Sequence, residues 1–379
     1  MLFYESITHQ SFKHGQIVCG DYISSARLKS GSYFGVFDGI GSGIYANITA
    51  IECGNRWLGM IENGLSFSET CEMLASSMHK ARSRAFPFTA FNCARLTGGG
   101  HGQIFTYEAP KPVLMRNGML HVIEPNYYTV GYEIIGESKV TLEEGDQLLL
   151  FSDGVSQAGL GESYTFGWGE TGFAEYYAKQ RKELDNTALL ERVAEECRII
   201  SGGRHEDDTS IILIKCRSPE HLNIFTGPPS TKEKDKVFAK AFKKAQGKKI
   251  ICGSTTTDIF ARELNETIKL KEKGLGYNSP PEYEMKGADM VTEGAMVLNQ
   301  VSNILDADEI EITTDTSPER IALLFYRADI IHFHVGNARN KTHQLLPFRQ
   351  LGIKERSEVL KDIAEKLKAK GKMVYFDYY

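Results

Sequence analysis

The chain lacks the basic excess that a nucleic-acid partner or an acidic membrane surface selects. Its 44 Lys and Arg stand against 49 Asp and Glu, a formal net charge of −5. It contains no run of about 18 apolar residues, the length a bilayer-spanning helix requires. The start, Met1-Leu2-Phe3-Tyr4-Glu5, places an acid where a secretion signal carries a basic end followed by an apolar stretch, so a cytoplasmic protein is expected, with neither nucleic acid nor membrane as partner. The seven cysteines are odd in number and scattered, with no Cys-x-x-Cys pair. That removes the usual signature of structural zinc or disulfide exchange and reads as reduced core thiols. Repeats of fixed period and low-complexity tracts are missing too, which excludes solenoids and linker arrays. What is present is ordinary globular material: 41% hydrophobic and 25% charged residues in a chain of 379, enough for two or three domains with sizeable cores.

Two textures meet near residues 218–236, where Ser218-Pro219, then Gly227-Pro228-Pro229-Ser230-Thr231 and a Lys/Glu/Asp run read as a linker. Residues 1–217 form one expected domain and 237–379 another. In the first, short apolar runs at Ser32–Phe37, Gln147–Phe151 and Ser210–Ile214 suit buried strands. Between them Ile44, Ile48, Ile51 and Leu58 share one helical face, while Phe67, Cys71, Leu74, Met78 and Ala81 follow a second helix that Ser66 and Glu69 can open as a capping box. Two more helices are expected between about Gly172 and Arg198. The second half alternates: a strand at Lys249–Cys252, a helical stripe of Met290, Gly294, Val297, Val301 and Ile304, a strand at Asp329–Val335, a stripe of Val359, Ile363 and Leu367, and a closing strand at Met373–Phe376. This is a smaller α/β domain.

Aspartates stand at the ends of these strands. Phe37 runs into Asp38-Gly39, Phe151 into Ser152-Asp153-Gly154, and Ser210–Ile214 begins just after Asp207-Asp208-Thr209. Asp21 follows Val18-Cys19-Gly20, read as the end of an early strand. If neighbouring strands are antiparallel, the end of one lies beside the start of the next, and the carboxylates converge at one rim. Such a cluster cannot stay ionised without cations, because close like charges raise one another's pKa. Oxygen ligands with no nearby His or Cys favour Mg²⁺ or Mn²⁺ over zinc. Each Asp-Gly pair alone is an ordinary turn signal.

Taken together, Gly20-Asp21, then Asp38-Gly39-Ile40-Gly41-Ser42-Gly43 before a helix, then Phe-Ser-Asp-Gly, then Glu-Asp-Asp-Thr-Ser before an apolar strand resemble the type 2C metal-dependent Ser/Thr protein phosphatases, in the bacterial branch named after the stage II sporulation protein E (SpoIIE). The resemblance spans about residues 1–217. It implies an α+β domain, an α-β-β-α sandwich of two mainly antiparallel sheets flanked by helices. It further implies that Asp38 bridges two Mn²⁺ or Mg²⁺ ions, that the Gly39 carbonyl ligates one of them with help from Asp21, and that Asp153 and Asp207 complete the other site, Asp207 being preferred to Asp208 by its distance from the last strand. The implied activity is hydrolysis of phosphoserine or phosphothreonine in a phosphoprotein, of which anti-sigma antagonist proteins are a frequent kind in this branch. Two such cations can activate a shared water and neutralise charge gathering on the phosphoryl oxygens.

The sequence departs from the eukaryotic members at Ile40, where they carry a histidine, and it has no N-terminal Arg in the matching motif to clamp phosphate. His101 and His205 lie near motif loops, where solvent-facing histidines are common. The alternative of another class is a binding module that keeps the fold but signals by contact. In the second half, Lys249–Cys252 leads into Gly253-Ser254-Thr255-Thr256-Thr257 and a helix expected near Asp258. Gly253, Ser254, Thr255 and Thr256 form a candidate site for an anionic small ligand, or simply a βα turn with a cap. His332 and His334 alternate on a strand and so point one way, as a metal pair or as solvent-facing residues.

Overall fold

A computed structural model of the chain describes residues 1–41, 43–83, 88–272, 280–307, 312, 316–338 and 354–379. The chain divides into two compact units, Met1–Ser218 and Pro219–Tyr379. Among the described residues no helix is long and apolar enough to cross a membrane.

In the first unit, β1 (Phe3–Ser11), β6 (Val113–Arg116), β7 (Met119–Val122), β10 (Gln147–Phe151) and β11 (Thr209–Arg217) form a five-stranded sheet in the order β1-β11-β10-β6-β7. The second sheet, in the order β2-β3-β4-β5-β9-β8, contains β2 (Asp21–Leu28), β3 (Gly31–Gly39), β4 (Thr89–Leu96), β5 (His101–Tyr107), β8 (Asn126–Val130) and β9 (Glu133–Thr141). All pairings in both sheets are antiparallel. Three apolar layers hold the stack together. Between the sheets lie Phe34, Val36, Ile104, Leu148, Leu150 and Ile212. Helices α1 (Gly43–Glu62) and α2 (Phe67–Ser83) cover the second sheet through Trp57, Phe67, Leu74 and Phe37. On the outside of the first sheet, α3 (Asp153–Ser156), α4 (Gly169–Gln180) and α5 (Asn186–Ile200) bury Phe151, Phe173, Leu190 and Leu213. The alternating strand residues thus feed two layers each, which is why strands such as β10 read as continuous apolar runs. The unit is thus an α-β-β-α sandwich of two antiparallel sheets flanked by helices.

The capping box at α2 forms as expected, with Glu69 N donating to Ser66 Oγ at 3.2 Å and Ser66 N to Glu69 Oε2 at 3.1 Å. All seven cysteines are buried and free. The face that α1 buries is not the one shared by Ile44, Ile48, Ile51 and Leu58. Ala46, Ala50, Cys53, Gly54, Trp57 and Ile61 face the sheet, while Ile44 and Ile48 are exposed. Small residues win because this helix packs against strand backbone: a Cβ on Gly39 would collide with the Ala46 carbonyl, and one on Gly54 would lie 2.7 Å from the Tyr22 ring.

The second unit is a seven-stranded sheet in the order β14-β15-β16-β13-β12-β17-β18. Its strands are β12 (His221–Thr226), β13 (Lys248–Cys252), β14 (Ile268–Glu272), β15 (Glu282–Met285), β16 (Met290–Thr292), β17 (Ile330–Val335) and β18 (Met373–Tyr378). The five from β16 to β18 are parallel, and β15 and β14 add antiparallel strands at one edge. On one face pack α8 (Ala295–Ile304), α9 (Ser317–Arg327) and α10 (Arg356–Ala369); on the other, α6 (Asp235–Lys244) and α7 (Ser254–Leu264). The stretch 218–236, expected as a linker, instead supplies β12, the middle one of the five parallel strands, and the start of α6. Its Pro and Gly residues mark the turns on either side of a six-residue buried strand. Met290, assigned to a helical stripe, belongs to β16, because Gly294 precedes rather than continues the helix.

Candidate metal centre

Strand register brings the aspartates to one rim. Asp21 and Asp38 are direct partners across β2 and β3, so both side chains leave the same face. Asp21 opens β2 rather than closing an earlier strand, since residues 12–20 form a loop. Phe151 at the end of β10 faces Ile211 near the start of β11, and Ser11 at the end of β1 faces Thr209. The start of α3, which carries Asp153, and the loop carrying Asp207-Asp208 therefore emerge side by side, and the packed sheets set them opposite Asp21 and Asp38.

Close backbone approach explains the glycines beside each aspartate. A Cβ on Gly154 would strike the Asp208 carbonyl, and one on Gly20 would stand 2.8 Å from Asp208 Oδ2. Asn47 of α1 donates to the Cys19 carbonyl at 2.7 Å and ties the helix to the loop before Asp21. Ser152 precedes α3 without capping it. Its hydroxyl accepts from Ser210 N at 2.9 Å and donates to the Asp208 carbonyl at 3.3 Å.

Electrostatically the rim is overloaded. Burial pushes Asp21 up to about 7, with Asp208 and Asp153 adding to the rise while the Ser152 and Ser210 hydroxyls oppose it. Burial also drives Asp38 well above the usual carboxylate range, reinforced by Asp21 and by Asp153, with which it shares a hydrogen bond. Asp153 rises from burial and from the charge of Asp207. Asp21 Oδ2 is buried and has no hydrogen-bond partner among the described residues. A hard-oxygen donor set with an orphaned buried carboxylate oxygen fits a divalent cation.

The two neighbouring aspartates differ. Asp208 is buried and its Oδ1 accepts from Lys13 N at 3.0 Å, whereas Asp207 is partly exposed and faces Lys13 Nζ at 3.4 Å. Lys13, Ser152 and Ser210 were not singled out from sequence. The two serines sit inside the motifs already quoted, but Lys13 lies 194 residues from Asp207 and only the fold joins them. Ile40 is 39% exposed at the rim. Of the histidines, His205 lines a cavity of about 370 Å³ together with Asp207 and Gly154. His101, pairing with Thr141 at the start of β5, lies at the far end of the sheet from Asp38.

Residues 30–217 match the family model described as Stage II sporulation protein E (SpoIIE). This first unit is a SpoIIE-family domain. The match begins after Asp21, so that residue stands on geometry and motif order. None of the curated proteins matches the chain. Among solved structures, the phosphatase domain of SpoIIE from Bacillus subtilis is 14% identical, with 57% of this chain and 93% of that one covered and a TM-score of 0.42. The RsbU and RsbW domains of Rv1364c from Mycobacterium tuberculosis are 16% identical over 63% and 67%, with a TM-score of 0.48. RsbX in complex with magnesium is 14% identical over 57% and 100%, with a TM-score of 0.41.

Outside the SpoIIE domain, the structure places His332 and His334 within 4.8 Å of Asp377. His334 is buried, with Nε2 3.1 Å from Asn223 Oδ1 and Nδ1 3.2 Å from the Tyr379 hydroxyl, and it stacks on Phe225. Both nitrogens are engaged and burial lowers its pKa to about 4, so it is a neutral packing residue at pH 7. Gly253–Thr257, expected as a loop before a helix, is in fact Gly253 followed by the first turn of α7, which starts at Ser254.

Proposed function

We propose that the SpoIIE domain hydrolyses phosphoserine or phosphothreonine in a regulatory phosphoprotein at a centre holding two Mn²⁺ or Mg²⁺ ions. The observation that carries this reading is the meeting of Asp21, Asp38, Asp153 and Asp207 at one rim, three of them pushed toward the protonated form by burial and one with an unpartnered buried oxygen. Asp38, central among the carboxyls, would hold the ions together with Asp21, the Gly39 carbonyl, Asp153 and Asp207. Asp207 is favoured over Asp208 because its charge acts on Asp38 and Asp153, whereas that of Asp208 acts on Asp21. When bound, the ions supply an activated water and neutralise the phosphoryl oxygens.

The chain's own residues do the rest. Ser152 and Ser210 fix the loops beneath the rim through their mutual hydrogen bond. Lys13, beside Asp207, is the cation placed to meet a substrate phosphate. Ile40 cannot donate a proton, so the leaving alkoxide takes its proton from solvent. Exposed Ile40, Ile44, Tyr45 and Ile48 next to the rim suit the apolar surface of a protein substrate better than a small, fully polar ester. Calorimetric titration of the full chain with Mn²⁺ tests the centre: two ions per chain are expected, falling in Asp38→Asn. Equal uptake by wild type and Asp38→Asn would remove these carboxylates from the site.

A further inference from the structure

In the parallel part of the second unit's sheet, the chain builds β12, moves outward to β13 and β16, then returns to the other side of β12 for β17 and β18. The connections leaving β12 and β17 therefore diverge, and at such a switch point a crevice opens beyond the carboxyl ends of the strands. A cavity of about 750 Å³ lies there, bounded by the turns after β12, β13, β16 and β17. That is the size of small-ligand sites generally. Glycines let the backbones meet: Gly253 has φ +125°, and a Cβ on Gly336 would collide with Pro228.

Three features of this crevice call for an anion. The first-turn amides of α7, an 11-residue helix, open into it at Ser254, Thr255 and Thr256. Thr256 is fully buried, lines the crevice, and its Oγ1 has no hydrogen-bond partner among the described residues. Opposite, the Arg356 guanidinium is half-buried against the backbone of Gly227 and donates through Nη2 to the carbonyls of Gly336 at 2.9 Å and Ala338 at 3.1 Å. Burial lowers its pKa, and no carboxylate among the described residues pairs with it. An immobilised, partly desolvated guanidinium without an anion is costly unless a ligand supplies one. Lys361 adds a second cation to the lining. Glu293 and Glu355 also reach the rim, and Met296, Leu360 and Phe376 give it an apolar side.

We propose that this crevice binds a phosphorylated small molecule, the phosphate received by the first turn of α7, the Thr256 hydroxyl and Arg356, and the organic part by Met296, Leu360 and Phe376. The site lies wholly in the second unit and does not depend on the metal centre. It is tested on the full chain in excess chelator, which removes the divalent cations through which the SpoIIE domain would hold phosphate, with inorganic phosphate as probe and ³¹P line broadening as readout. Saturable binding is expected. Ser254→Glu should weaken it at least tenfold: the position is exposed and an acid there favours the helix, so misfolding does not explain a loss. Arg356→Gln should weaken it several-fold. No saturable binding to wild type up to about 20 mM phosphate, a range that covers even millimolar affinities, or an affinity in Ser254→Glu within twofold of wild type, would overturn the proposal.

Discussion

Both units place their chemistry at the end of a sheet, but with opposite charge. In the SpoIIE domain, antiparallel register sets strand ends beside strand starts, and acidic residues from β2, β3, the start of α3 and one loop collect at one rim. In the second unit, parallel register sends the carboxyl ends of five strands to the same edge, where a helix N-terminus and Arg356 gather. One site accumulates anions and fits cations; the other accumulates donors and fits an anion. The contrast teaches that topology decides which part of the backbone reaches a site. Strand ends with Asp-Gly turns expose carboxylates, whereas βα turns expose amides.

The sharpest way to separate the two sites is to disable one. Asp38→Asn or Asp153→Asn should lower kcat/KM on a phosphoserine peptide at least about a hundredfold, about 2.7 kcal/mol, with far-ultraviolet circular dichroism unchanged. Phosphate binding in the second unit should be untouched. A change of less than threefold would take these residues out of the reaction.

A smaller effect concerns pH. The folded-state pKa of Asp21 is raised from its ordinary 3.8 to about 7. Its contribution to stability is therefore complete below 3.8 and is lost as pH rises through about 7. Asp38 and Asp153 shift in the same direction. In chelator, the melting temperature of the SpoIIE domain should fall by several degrees over that interval. Saturating Mn²⁺ should reverse the fall at neutral pH, and Asp21→Asn should flatten it. A chelated protein that grows more stable as pH rises would contradict the crowding of these carboxyls.

Backbone approach gives the next effect. Gly39→Ala drives a methyl into the Ala46 carbonyl and should cost about 1–3 kcal/mol in urea unfolding. At Gly41, with φ +123° and nothing within 4 Å of a Cβ, alanine brings only backbone strain, about 1 kcal/mol. Equal costs would mean that α1 is not seated on β3 as described. The smallest effect is expected of Ile40→His, which should raise turnover of alkyl phosphates by a few-fold and of aryl phosphates less, because a good leaving group needs less protonation. Equal effects on both would exclude proton donation from that position.

Much of the SpoIIE domain was legible because its signals are local. Aspartates follow apolar strands, glycines adjoin them, and Ser66 with Glu69 opens α2. Periodicity picks out the face of Ile44 and Ile48 because it finds the most apolar one, whereas tight seating on a strand selects Ala46 and Ala50. Lys13 was invisible because its partner is 194 residues away. In the second unit, β12 was lost between proline-rich turns, since six residues flanked by Pro and Gly carry little pattern of their own. The switch-point crevice needs strand order, which no window of sequence contains.

The most direct test of the central claim is hydrolysis of a phosphoserine protein by the full chain, followed as phosphate release with saturating Mn²⁺ and again in excess chelator. Turnover is expected with the ion and none in chelator. Undiminished release in chelator, or a folded, ion-saturated chain that releases phosphate from no phosphoprotein, would contradict it.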